Sequence, residues 1–81
     1  MITAMEADKL VKMANQIGAF FASEPDRTVA LDGIAGHIRR FWEPRMRRAL
    51  QRWVDEHHGE GLQDNVQAAI TAHRDRLFSG L

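Results

Sequence analysis

The residues of this chain that could do chemistry crowd into one stretch, His37-Ile38-Arg39-Arg40-Phe41-Trp42-Glu43-Pro44-Arg45-Met46-Arg47-Arg48. It sets five arginines and two adjacent aromatics around a proline, in a chain of no net charge. Guanidinium groups are permanent cations whose planar fork pairs bidentately with carboxylate or phosphate. The chemistry on offer is therefore recognition of anions rather than bond-making. Residues 1–36 carry three basic and five acidic groups, residues 37–52 six arginines and one glutamate, and residues 53–81 two basic and five acidic groups. The middle thus stands at +5 between flanks of −2 and −3. A patch so concentrated on an otherwise acidic body suits binding of a partner.

Other reactive groups are sparse. His57 and His58 are adjacent, with Asp55, Glu56 and Glu60 nearby. Successive helical residues point about 100° apart, and the spacing matches no zinc pattern such as H-E-x-x-H, so a solvated loop is expected there. His73 falls on an apolar stripe, where a histidine is normally held by a hydrogen-bond partner. His37 lies at the edge of such a stripe; an interface hydrogen-bond network and a half-buried capping role both remain open for it. Ser23 and Ser79 are the only serines, and neither has a base at useful spacing. The glycines fit no phosphate-binding register. With no cysteine, the chain cannot build a disulfide, an iron–sulfur cluster or a thiolate zinc site from its own residues. No catalytic, cofactor-binding or metal-binding residue is expected in this chain.

The elements that must position the arginines are helices. At 100° per residue, Leu10, Met13, Ala14, Ile17, Phe20 and Phe21 share one arc of about 120°. Val11, Gly18 and Ala22 form a small-residue strip suited to close approach by another helix. Pro25 ends this run, with Ser23 and Asp26 as turn or cap residues. A second arc holds Leu31, Ile34, Ala35, Ile38, Phe41 and Trp42, with Arg39 and Arg40 pointing away. Gly33 and Gly36 lie on the outer side, each costing about 1 kcal/mol against alanine in a helix interior. Indifference to propensity and a smooth patch for a partner's backbone are both open explanations. Pro44 disfavours helical geometry at Glu43 and suits the first turn of a new helix. There Met46, Ala49, Leu50, Trp53 and Val54 share an arc, and Arg45, Arg48 and Arg52 form a separate stripe. A glycine-punctuated loop, His57 to Gly61, precedes a fourth helix from about Leu62 to Leu77. No stretch alternates with period two, so strands are not expected.

The fold class predicted is all-α: one compact domain, residues 1–81, of about four short helices with short loops. A chain this small buries only roughly 60% of its unfolded surface, so its core is thin and docking to something larger would help it. A hydrophobic fraction of 44% argues against disorder. The start shows no basic segment followed by an apolar one, so no signal peptide is expected. The apolar runs fall far short of the ~20 residues of a membrane helix. A cytoplasmic location with no membrane contact is the expectation.

For the arginines, protein docking leads, because arginine and tryptophan are enriched as interface anchors. Arginines merely lying over Trp42 and Trp53 on a solvated face come second. A small nucleic-acid-binding regulator is unlike a chain whose eleven acids would repel a polyanion. A self-associating helical protein is the remaining alternative. The expected partner-binding set is Asn15, Gln16, His37, Arg39, Arg40, Glu43, Arg45, Arg47 and Arg48. Phe41, Trp42, Pro44, Met46 and Trp53 are expected to form the core and the elbow between the second and third helices. Simple solvation is the competing reading for Asn15 and Gln16.

Two blocks carry a family likeness. The first is Asp8-Lys9-Leu10-Val11-x-Met13-Ala14-Asn15-Gln16-Ile17-x-x-Phe20-Phe21. The second is Gly33-Ile34-Ala35-x-His37-Ile38-Arg39-Arg40-Phe41-Trp42-x-Pro44-Arg45-Met46-Arg47, with Gly59-Glu60-Gly61-Leu62 following later. Together they resemble the delta subunit of NAD-dependent formate dehydrogenase. The resemblance implies a non-catalytic accessory subunit of a cytoplasmic molybdenum or tungsten enzyme complex that oxidises formate. It further implies docking on the large catalytic subunit, in support of assembly, stability or cofactor retention. The molybdopterin metal centre, iron–sulfur clusters and flavin would lie in the partner subunits.

Overall fold

The structure, a computed structural model, describes residues 4–81, with side chains from Glu6 onward. The expectation about the first residues of the chain lies outside that range. Five helices follow one another: α1 (Ala4–Phe21), α2 (Arg27–Phe41), α3 (Pro44–His57), α4 (Asp64–Ala72) and α5 (Arg74–Phe78). No strand occurs among the described residues, as the all-α reading requires.

Each boundary has a local cause. After α1, the Asp26 carboxylate accepts the backbone N–H of Val29 at 3.3 Å and caps α2, satisfying one donor left free by the first turn. Glu43 is extended, at φ −64° and ψ 155°, because the ring of Pro44 crowds helical geometry at the residue before it. Pro44 then opens α3, where its missing N–H costs nothing. α3 ends with His58 and Gly59 at φ 57° and 68°, in the left-handed region.

The expected fourth helix is two. His73, at φ −122° and ψ 32°, interrupts it between α4 and α5, so this histidine sits at a junction rather than mid-stripe. Leu77 and the adjacent Phe78 are both buried.

α2 is the central element, packed on α1, α4 and α5. Ile34 and Ile38 on α2, Leu50 on α3, Val66 and Ile70 on α4, and Leu77 on α5 form the fully buried centre. α1 meets α4 through Gly18, where an added Cβ would stand 2.6 Å from Val66 Cγ2. This is the close approach the small-residue strip predicts. The outer glycines of α2 are covered from within. The ring of Phe21 lies over Gly33, 2.3 Å from where a Cβ would be, and Arg76 lies over Gly36. That finding overturns the patch for a partner's backbone. Gly33 is small because the Phe21 ring needs the space, whereas at Gly36 only the flexible tip of Arg76 comes close.

Candidate partner-binding face

The elbow between α2 and α3 sorts its arginines into one inside and several outside. Arg47 is buried, with 5% of its surface exposed. Its Nε donates to the carbonyl oxygen of Trp42 at 3.3 Å and its Nη1 to that of Leu77 at 2.8 Å. Those oxygens belong to the C-terminal ends of α2 and α5, where carbonyls lack helical partners and the helix dipole is negative. Arg47 departs from the expected free contact residue: its donors are spent inside the fold. Burial lowers its pKa from the usual arginine value, and the charge of Arg39 lowers it further. The sequence did carry a signal. Arg47, Leu50 and Val54 stand at i, i+3 and i+7, the spacing of one helix face.

The other arginines of the stretch point outward. Arg39, Arg40, Arg45, Arg48 and Arg52 are exposed and have no ion-pair partner among the described residues. The arginines of α5 differ: Arg74 pairs with Asp55 on α3 and Arg76 with Asp32 on α2. Internal carboxylates thus serve the C-terminal arginines and leave the central set free. Gln16, His37 and Glu43 are exposed as well.

The aromatics divide against expectation. Trp42 is buried, but Phe41 is 63% exposed and stands beside His37, with ring centroids 4.7 Å apart. The reason is local. Trp42 caps α2 with extended backbone, φ −85° and ψ 131°, so its ring leaves the position a continued helix would assign. Phe41, the last residue of α2, is a surface residue rather than part of the core. Met46 and Trp53 are half-buried. The Trp53 indole donates from Nε1 to the Glu60 carbonyl oxygen at 2.8 Å and stacks on His57 at 4.3 Å.

α1 brings a further apolar surface. Its buried line is Ala7, Leu10, Ala14 and Gly18, which leaves Met13 40% and Phe20 77% exposed. Both were expected to face inward. The indicator was the run of small residues Ala7, Ala14 and Gly18, at i, i+7 and i+11, which lets neighbours approach more closely than methionine or phenylalanine would. Asn15, expected either to dock or to be solvated, is bonded within the fold. Its Nδ2 donates to the Gly61 carbonyl oxygen and its Oδ1 accepts from the Gln63 N–H, both at 2.9 Å. It clips the α3–α4 loop to α1.

No group of three or more histidine, aspartate or glutamate side chains among the described residues could hold a metal ion. None of the described helices is long and apolar enough to cross a membrane. The face offers unpaired cations beside exposed apolar and polar side chains. A family model described as the NADH-dependent formate dehydrogenase delta subunit FdsD matches residues 9–70. The chain belongs to the FdsD family. The match spans most of α1, all of α2 and α3, and α4 through Ile70, and so includes the whole elbow. Neither a curated protein nor a solved structure matches the chain.

Proposed function

We propose that this FdsD chain is a non-catalytic accessory subunit that docks on the large catalytic subunit of a formate dehydrogenase and supports its assembly, stability or cofactor retention. The observation that carries the reading is the contrast among the arginines. Arg74 and Arg76 are paired internally, whereas Arg39, Arg40, Arg45 and Arg48 project unpaired around the Pro44 corner. Unpaired guanidinium groups beside exposed Phe41 and His37 suit a protein interface, where arginine and aromatic anchors dominate the energetics. Glu43 and Gln16 would add polar rim contacts.

Cofactor chemistry belongs elsewhere in such a complex. Iron–sulfur clusters need thiolates, and this chain has no cysteine. The molybdopterin metal centre, the clusters and the flavin would then sit in partner subunits, in the cytoplasm. The test is co-purification with the formate dehydrogenase subunits. Arg45→Glu with Arg48→Glu should abolish recovery of the complex, while the variant chain keeps its helical circular dichroism. Intact assembly and unchanged formate-dependent NAD reduction in that variant would refute the docking role.

A further inference from the structure

The exposed side of α1 forms the floor of a trough. One hollow of about 460 Å³ lies between α1 and α3, and a second of about 430 Å³ between α1 and the end of α2. Met13 lines both, so the two hollows adjoin along α1. From Glu6 to Phe20 the trough follows α1 for ~21 Å at about 1.5 Å per residue, the length of about four helical turns. Arg45, Arg48 and Arg52 line one wall, and Glu6 and Lys9 stand across from them. The floor and far end are apolar, with Met13, Ile17 and Phe20 among the lining residues.

We infer that this trough receives an acidic amphipathic helix of a partner subunit, its carboxylates on the Arg45–Arg48–Arg52 stripe and its apolar side chains on Met13 and Phe20. This rests on the docking reading above and states what the docked element must be. Three features select it. The arginines of the stripe have no ion-pair partner among the described residues, and their i, i+3, i+7 spacing matches carboxylates repeated along one helix face. The walls are helices with self-satisfied backbones, so no free sheet edge is present to pair an extended strand, whereas a groove between helices takes an apolar helix face. Nucleic acid would find methionine and phenylalanine where phosphate contacts are needed.

Photo-crosslinking in the assembled complex tests this. Benzoylphenylalanine is placed in turn at Phe20, at Arg48 and, as a control outside the trough, at Thr71, in the full chain co-expressed with the formate dehydrogenase subunits. The Phe20 and Arg48 positions should capture one and the same segment of another subunit, with acidic residues at helical spacing among apolar ones, and Thr71 should not. Arg45→Glu with Arg48→Glu should weaken retention by at least about tenfold. Reversing two acids of the captured segment to arginine should restore it. Capture of a second copy, of nucleic acid, or of a segment without that pattern overturns the inference. So does an intact complex with no capture at either position, an outcome that leaves the docking role standing. If the unaltered chain fails to co-purify at all, the docking role falls, and this inference with it.

Discussion

Arg47 on α3 donates from Nη1 to the carbonyl oxygen of Leu77 on α5, at 2.8 Å and across 30 residues of chain. With its second bond, to Trp42, one side chain ties the ends of α2 and α5 to α3. Leaving a buried carbonyl unpaired costs about 1–3 kcal/mol, and Arg47→Ala strands such groups at two helix ends. Thermal unfolding of Arg47→Ala should show a loss of about 2–4 kcal/mol, a fall in Tm of at least ~8 °C for a domain of this size. The neighbouring Arg48→Ala should change stability by no more than about 0.5 kcal/mol, the usual range for an exposed site. Equal losses for the two would show that Arg47 is not the tie described here.

Gly18 sets the distance between α1 and α4. A methyl group there would stand 2.6 Å from Val66 Cγ2 and 2.8 Å from Asn65 Oδ1, inside van der Waals contact. An alanine normally stabilises a helix interior by about 1 kcal/mol over glycine. Here overpacking should reverse the sign. Urea denaturation of Gly18→Ala should show a net loss of about 1–3 kcal/mol. In a double-mutant cycle with Val66→Ala the combined loss should be less than the sum of the two single losses, because the obstructing methyls are gone. A stabilised single variant would mean that the helices can separate freely.

Much of this architecture was readable from apolar spacing, and each departure has its own physical cause. The i, i+3, i+4 pattern placed Ile34, Ala35 and Ile38 correctly because α2 is regular there. It misplaced Phe41, which closes α2 at the edge of the apolar arc beside the exposed His37. Pro44 signalled the corner but not the side chain that Trp42 would send inward. Arg47 was hidden for a different reason. Residue type puts a charge outside, and the carbonyls that hold it come from helix ends remote in sequence. Asn15 is a similar case, since its partners, Gly61 and Gln63, lie 46 and 48 residues away. The exposed floor of the trough, Met13 and Phe20, was read as core because both are apolar. Only the small residues at Ala7, Ala14 and Gly18 show which edge of that arc faces inward.

Asn15 holds the α3–α4 loop by one donor and one acceptor. Asn15→Ala removes both bonds, at about 1 kcal/mol each. The amide N–H of Gln63, just before α4, loses its acceptor. Hydrogen exchange should therefore quicken at Gln63 by about tenfold or more, with global stability lower by about 1–2 kcal/mol. Asn15→Asp keeps the acceptor and loses the donor, so it should retain protection at Gln63 while giving up the contact to Gly61. Unchanged exchange at Gln63 in Asn15→Ala would show that the loop is held by other contacts.

Phe20 makes the sharpest separation between folding and docking. It is 77% exposed, touching the edge of Phe21 at a ring-centroid distance of 5.0 Å. Phe21 in turn covers Gly33 and belongs to the fold. Edge-to-face pairs contribute about 0.5–1.5 kcal/mol, so Phe20→Gln should lower the stability of the isolated chain by about 1 kcal/mol at most. Phe21→Gln, which removes packing against the core, should cost about 2–4 kcal/mol. In the complex the order should reverse at matched folded concentration. Phe20→Gln should reduce recovery with the partner subunits, because a large apolar anchor in a desolvated groove carries more binding energy than its surroundings. Pull-down at a temperature where both variants are folded, quantified against the unaltered chain, reads the difference. Full recovery of Phe20→Gln would remove α1 from the docking face and confine that face to the arginines.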